Sequence, residues 1–341
     1  MTYRYNARRW AWGLVAVLLM LGLLPGCRSS EPVAAPAAPK PLLTFDDKIT
    51  LDNGKVRLGV SPAVGRVVEF GFTGGENLIW VDTEAVYDNP VPGVAVPDQK
   101  YYNLGGDKLW PTAQPLWKLA TGNDSWPPDG VIDGGPWTVR RRSDRSVTIE
   151  SAPSPHYGIV VLRTFTLAPD EPRVVIQNLI HRVEANPIPV SAWTITQVKT
   201  PIAAVLDVAA DGPEIAPLVR PLTDDTPGKV AGNVSMLGRD EMAVWKQRGD
   251  TYAKLGTFGR SVAAVYDDVT FLQETDFNPA GAYPEMSSAQ LYRAGDYVEL
   301  ELLSPLVQLG PEEVMKNQVV WTLIDVSSEH AFPTLLNHKR K

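Results

Sequence analysis

An all-β sandwich or barrel is the fold this sequence predicts, on three observations. Beyond its first residues the chain has almost no helical periodicity. It carries about sixteen short runs in which apolar and polar residues alternate, and Gly, Pro, Asn and Asp separate those runs at short intervals. Alternation sends successive side chains to opposite faces of a strand, and many short strands without intervening helices argue against βαβ units.

The first element is a leader. Arg4, Arg8 and Arg9 precede a nearly unbroken apolar run from Trp10 to Leu24, too short to span a bilayer comfortably and flanked like a signal peptide. It closes on Leu24-Pro25-Gly26-Cys27, which resembles the lipobox of bacterial lipoproteins; residues 1–26 are then the signal peptide and Cys27 the lipidated residue. Cys27 is the only cysteine, so the exported part forms no internal disulfide and depends on its core. Arg28 rather than Asp after the cysteine resembles the pattern that permits outer-membrane sorting, which implies an envelope location on the periplasmic or outer-membrane side. Residues 27–41, rich in Pro and Ala, read as a semi-extended tether.

Residues 42–330 follow as one large domain, with residues 331–341 as a tail; about 300 residues is near the upper limit for a single core. Strands are expected at Lys55–Val60, Arg66–Phe72 and Asn77–Val81, then as a hairpin at Thr138–Arg142 and Ser146–Glu150. Ile159–Leu167, Arg173–His181 and Pro189–Lys199 come next. Met242–Lys246, Tyr252–Thr257, Ser261–Tyr266, Val269–Thr275, Ser288–Tyr292, Tyr297–Leu303 and Gln318–Val326 complete the series. Tyr87 to Pro136 and Asp207 to Gly232 read as long loops, and ordered loops of that length usually carry function.

Charge bears on partners. The 39 acidic residues outnumber 32 basic ones, three of which sit in the leader, so the exported part is more acidic than the formal −7 of the whole chain. The run Arg140-Arg141-Arg142 falls within an alternating strand and reads as a solvated face, which argues against nucleic acid as a partner.

The first long loop is the richest segment. Trp110, Trp117 and Trp126 lie in it, with Trp137 just after it, beside Asp107, Lys108, Asp124 and Asp129. An indole can cover the apolar face of a sugar ring while neighbouring Asp and Lys bond its hydroxyls. The same aromatics could equally pin the loop onto the sandwich. Glu299 and Glu301, two apart, share one strand face: a carboxylate site if that face is concave, solubilising residues if it meets solvent. Glu285 is a loop carboxylate, and His156 lies in a Pro-flanked loop. No pair of histidines has metal-ligand spacing and no second cysteine is present, so no cofactor is expected; calcium on scattered carboxylates stays open. Nucleophile-elbow, phosphate-loop, dinucleotide and zincin motifs are all missing from the sequence.

Gly65-Arg66-Val67-Val68-Glu69-Phe70 with Gly75-Glu76-Asn77-Leu78-Ile79-Trp80 resembles the opening of galactose-mutarotase-like domains. Trp126-Pro127-Pro128-Asp129-Gly130 up to Gly135-Pro136-Trp137 resembles their Pro-rich loop. Val175 to Leu179 with Pro187 to Gln197 resembles their paired strands, and Val298 to Leu306 resembles the late strand that carries their catalytic Glu. Over roughly residues 50–325 the resemblance is to an uncharacterised bacterial branch of the aldose 1-epimerase superfamily. It implies a single β-supersandwich, a carbohydrate ligand and Glu301 at the base position, with Glu299 as runner-up. The general-acid His of that family is missing from Ser191-Ala192-Trp193-Thr194-Ile195-Thr196-Gln197, and Gln197 can bond a sugar but cannot exchange its proton near neutral pH. His156 is the candidate substitute acid. Asp107, Lys108, Trp110, Trp126, Asp129, Trp137, Trp193, Gln197 and Glu285 are candidate sugar contacts. A sugar-binding lipoprotein, a sugar-active epimerase, lyase or hydrolase using Glu301, and an envelope protein docking an unknown protein partner are the three functions these residues allow.

Overall fold

The computed structural model describes residues 45, 47–83, 103–122, 128–212, 219–222, 233–239, 241–246 and 252–339. The chain divides into two units, Met1–Pro39 and Lys40–Lys341, and every described residue belongs to the second. The expected leader, Cys27 and the expected tether therefore lie outside the described residues, as does Trp126.

Two antiparallel sheets form the body. The nine-stranded sheet takes β1 (Ile49–Asp52), β2 (Val56–Ser61), β3 (Arg66–Phe72), β4 (Asp107–Trp110), β9 (Trp193–Lys199), β18 (Tyr297–Leu303), β17 (Ala289–Ala294), β14 (Ala253–Thr257) and β11 (Arg220–Pro221), in that order. The ten-stranded sheet runs β12 (Val234–Leu237), β13 (Met242–Lys246), β10 (Ala203–Asp207), β15 (Ser261–Val265), β16 (Val269–Thr275), β19 (Val314–Asp325), β8 (Arg173–Arg182), β7 (Ile159–Leu167), β6 (Ser146–Ser151) and β5 (Trp137–Arg142). The two-layer all-β expectation holds.

The main core fills the space between the sheets. β7 and β8 show why: their burial alternates along the strands, with Ile159, Val161, Phe165, Val174, Ile176 and Ile180 all inside. Phe70, Phe271 and Trp321 meet at its centre with ring centroids 5.1–5.2 Å apart. Each such side chain contributes about 1.5–3 kcal/mol through removal from water.

Several expectations are corrected. Asn77–Val81 makes only isolated bridges, Ile79 to Val198 and Val81 to Gly105, instead of a strand. The long Trp-rich loop contains β4 and two short helices, α1 (Trp117–Thr121) and α2 (Gly130–Asp133). The first residue of β10 follows Ile202 by one position, and its five residues are buried on both faces, so its apolar run lacks alternation. The segment read as a tail belongs to helix α3 (Ser328–Lys339). Ala331 and Leu335 of α3 cover Ala203, Val205, Met242, Val244, Ala263 and Leu272 on the outer face of the ten-stranded sheet, a second and smaller core.

Candidate functional site

Register decides which side chains share a face. Glu301 of β18 lies opposite Gln290 of β17 and Ile195 of β9; Glu299 lies opposite Tyr292 and Gln197; Lys254 of β14 lies opposite Tyr292. Glu301, Glu299, Gln197, Gln290, Tyr292 and Lys254 share one face of the nine-stranded sheet. The intervening Val298, Leu300 and Leu302 turn to the opposite face, into the main core. Lys108 and Trp110 of β4 and Trp193 of β9 belong to the same outer set.

That face is polar and buried at once. Glu301, Gln197 and Gln290 are each 0% exposed, and Lys108 and Trp193 only 2%. The Trp193 indole N–H donates to Glu301 Oε2 at 2.7 Å, and Lys254 Nζ stands 3.2 Å from the same oxygen. The Lys254 ammonium also lies 4.6 Å from the centre of the Trp193 ring and 3.4 Å from Glu285 Oε2. Gln290 Nε2 donates to Glu285 Oε2 at 2.9 Å and to Ser287 Oγ at 2.7 Å. Gln197 Nε2 donates to Glu299 Oε1 at 2.7 Å and to Asn103 Oδ1 at 2.9 Å. Asn103 in turn donates to the hydroxyl of Tyr297, whose ring stacks on Trp80 with centroids 4.5 Å apart.

The electrostatics follow from burial. Loss of hydration pushes the Glu301 carboxyl up to about 7; Lys254 opposes the rise, and Glu299 and Glu285 add to it. Burial disfavours the Lys254 ammonium, yet Glu301, Glu285 and Glu299 together hold its pKa above the ordinary lysine value. Burial lowers the Lys108 pKa against the attraction of Glu299, Asp133 and Glu301. Glu285 and the following Met286 both adopt left-handed backbone, φ 51° and 50°, without being glycine. This costly turn directs the Glu285 carboxylate at Lys254 and Gln290.

The structure thus gathers Glu299, Glu301, Gln197, Trp193, Lys108, Trp110 and Glu285 of the expected set. It does not gather the others. Asp107 points between the sheets, where it pairs with Arg163 of β7 at 2.6 Å and accepts from Thr196 at 2.9 Å; it ties the layers together. Asp129 caps α2 through Val131 N–H at 2.8 Å and accepts from Ser154. Trp137 is buried in the main core and packs against Gly65. His156 sits in the turn between β6 and β7, where its carbonyl accepts from Asn186, and none of its described contacts reaches Glu301. Trp110 reaches the face only as backing: its N–H donates to Asp133 at 2.6 Å, and its ring meets Trp117 and Trp193 edge-on.

Lys254 and Gln290 were not singled out from sequence. Each is one polar residue in an alternating strand, the usual mark of a solvent face, and only the strand order shows that they adjoin Glu301. Among the described residues no group of three or more His, Cys, Asp or Glu is arranged to hold a metal ion.

A family model described as "Domain of unknown function (DUF4380)" matches residues 47–324. No curated protein sequence matches the chain. Among solved structures, the galactose mutarotase related enzyme from Lactobacillus acidophilus is similar at 10% identity over 82% of this chain and 98% of that one, with a TM-score of 0.52. A galactose mutarotase-like protein from Lactobacillus casei gives 10% identity over 81% and 100%, TM-score 0.51. The Slr1438 protein from Synechocystis sp. PCC 6803 gives 12% over 82% and 96%, TM-score 0.51. At these identities the likeness establishes a shared fold, the galactose-mutarotase-like β-sandwich.

Proposed function

Because the chain belongs to the DUF4380 family and has the galactose-mutarotase-like fold, we propose that it is an exported, lipid-anchored protein that binds carbohydrate on the outer face of its nine-stranded sheet. The observation that carries this reading is the cluster of buried Glu301, Gln197 and Gln290 with partly buried Lys254, backed by Trp193. Desolvated polar side chains are costly unless something bonds to them, and a polyhydroxylated ligand supplies such bonds at several points. The names of the fold neighbours support the same ligand class. Anchoring rests on the sequence alone, through the leader and Cys27, with attachment to the envelope as its consequence.

A second reading, a sugar-active enzyme, is favoured by Glu301. A carboxyl held near pH 7 is divided between its two protonation states at neutral pH, as a general base requires. Glu301 would take a proton from a sugar hydroxyl while Lys254, committed to it at 3.2 Å, offsets the charge of the ionised carboxylate. Tryptophan fluorescence and thermal shift of the full chain in detergent, against neutral, acidic and aminated mono- and oligosaccharides, separate the readings. Binding predicts a saturable response that Gln197→Leu weakens. Catalysis further predicts turnover of the bound sugar that Glu301→Gln abolishes while binding persists. No response to any sugar would reject both and favour a protein partner.

A further inference from the structure

The hydrogen-bonding capacity of the Glu301 face is lopsided. Three fully buried oxygens, Glu301 Oε1, Gln197 Oε1 and Gln290 Oε1, have no partner. The two glutamine oxygens are acceptors, as is Glu301 Oε1 in the ionised carboxylate, and all stand on the same face of three consecutive strands, β9, β18 and β17. The neighbouring donors are committed. Both amide nitrogens donate to carboxylates, so neither amide can turn over to offer a donor without losing a charge-assisted bond. Lys254 is held between Glu301 and Glu285, and the Trp193 N–H is spent on Glu301.

Charge is lopsided in the same sense. When Glu301 is ionised, Glu285, Glu299 and Glu301 meet two ammonium groups, Lys254 and Lys108, so the carboxylates outnumber the ammonium groups by one in a water-poor setting. Asp133, also near Lys108, is already paired with Arg66 at 3.0 Å.

We propose that the ligand of this face enters as a hydrogen-bond donor at several positions and that one of these is a protonated amine: the substrate class is an amino sugar. The inference rests on the carbohydrate reading of the same face and narrows it. Hydroxyls of the ring donate to the two glutamine oxygens, and the ammonium donates to Glu301 Oε1 and supplies the missing positive charge. A neutral sugar would satisfy the acceptors but leave the charge, and a sugar acid would add a second negative charge to it.

The test is calorimetric titration of the full chain in detergent with glucosamine, N-acetylglucosamine, glucose and glucuronate at pH 7, where most of the amine keeps its proton. Glucosamine is expected to bind at least about tenfold tighter than glucose, with N-acetylglucosamine and glucuronate weaker still. The preference should shrink as the pH falls toward 5 and Glu301 takes up a proton. Glu301→Gln should bring glucosamine down to the affinity of glucose. Glu299→Gln, on a side chain that is only half buried, should do so in part and covers the case in which the first variant fails to fold. Equal affinity for glucosamine and glucose would overturn the amine assignment and leave the carbohydrate reading standing. Silence from all four sugars would overturn both.

Discussion

At the scale of single residues, the Glu301–Lys254 pair determines how the protein responds to pH. The folded protein holds Glu301 near 7 against an ordinary 4.5, so folding favours the protonated carboxyl. Its contribution is fully present below about pH 4.5 and is lost as the pH rises through 7, worth at most about 3 kcal/mol. Chemical denaturation at pH 5 and pH 8 should show this decline, and Glu301→Gln should flatten it. Lys254→Met is expected to destabilise by about 3–5 kcal/mol at pH 8, because it strands Glu301 in a dry site without its counter-charge, and by much less at pH 5. Spacing alone shows that Glu299 and Glu301 share a face. That the face is the buried polar one depends also on β4, β9 and β14, which are distant in sequence and which no local pattern encodes.

At the scale of elements, β4 and α3 show what sequence patterns miss. β4 has four residues and follows Gly105 and Gly106, both with φ near 80°, so its surroundings read as a turn. The glycines are there because backbone passes close by: a Cβ on Gly105 would lie 2.5 Å from the Trp80 carbonyl and the Val81 Cα. Gly105→Ala should cost about 2 kcal/mol or more and loosen β4, seen as faster amide exchange at Lys108 and Leu109. In α3, Pro333 within the helix hides its periodicity, yet Ala331 and Leu335 are buried on the sheet. Leu335→Ala is expected to cost about 2–5 kcal/mol in urea unfolding. The longer strands, β7 and β8 above all, were legible because one buried face imposes strict alternation.

At the scale of the whole molecule, the two-sheet architecture was legible from strand count and turn chemistry, and the pairing order was not, since non-local contacts such as β4 with β9 or β18 with β9 leave no trace in either partner. The proposed attachment makes its own prediction: Cys27→Ala should abolish metabolic labelling with a fatty acid and move the chain out of the membrane fraction. The ten-stranded sheet ends at β5, whose last five residues are exposed and include Arg140, Arg141 and Arg142. An open strand is a template for another chain; Arg140 pairs with Glu150 of β6, and the charges of Arg141 and Arg142 on the exposed edge disfavour pairing with a second copy. The arginine run, a solvated strand face by sequence, is then an edge guard, and replacing Arg141 and Arg142 by threonine is expected to turn a clear solution into one that scatters light.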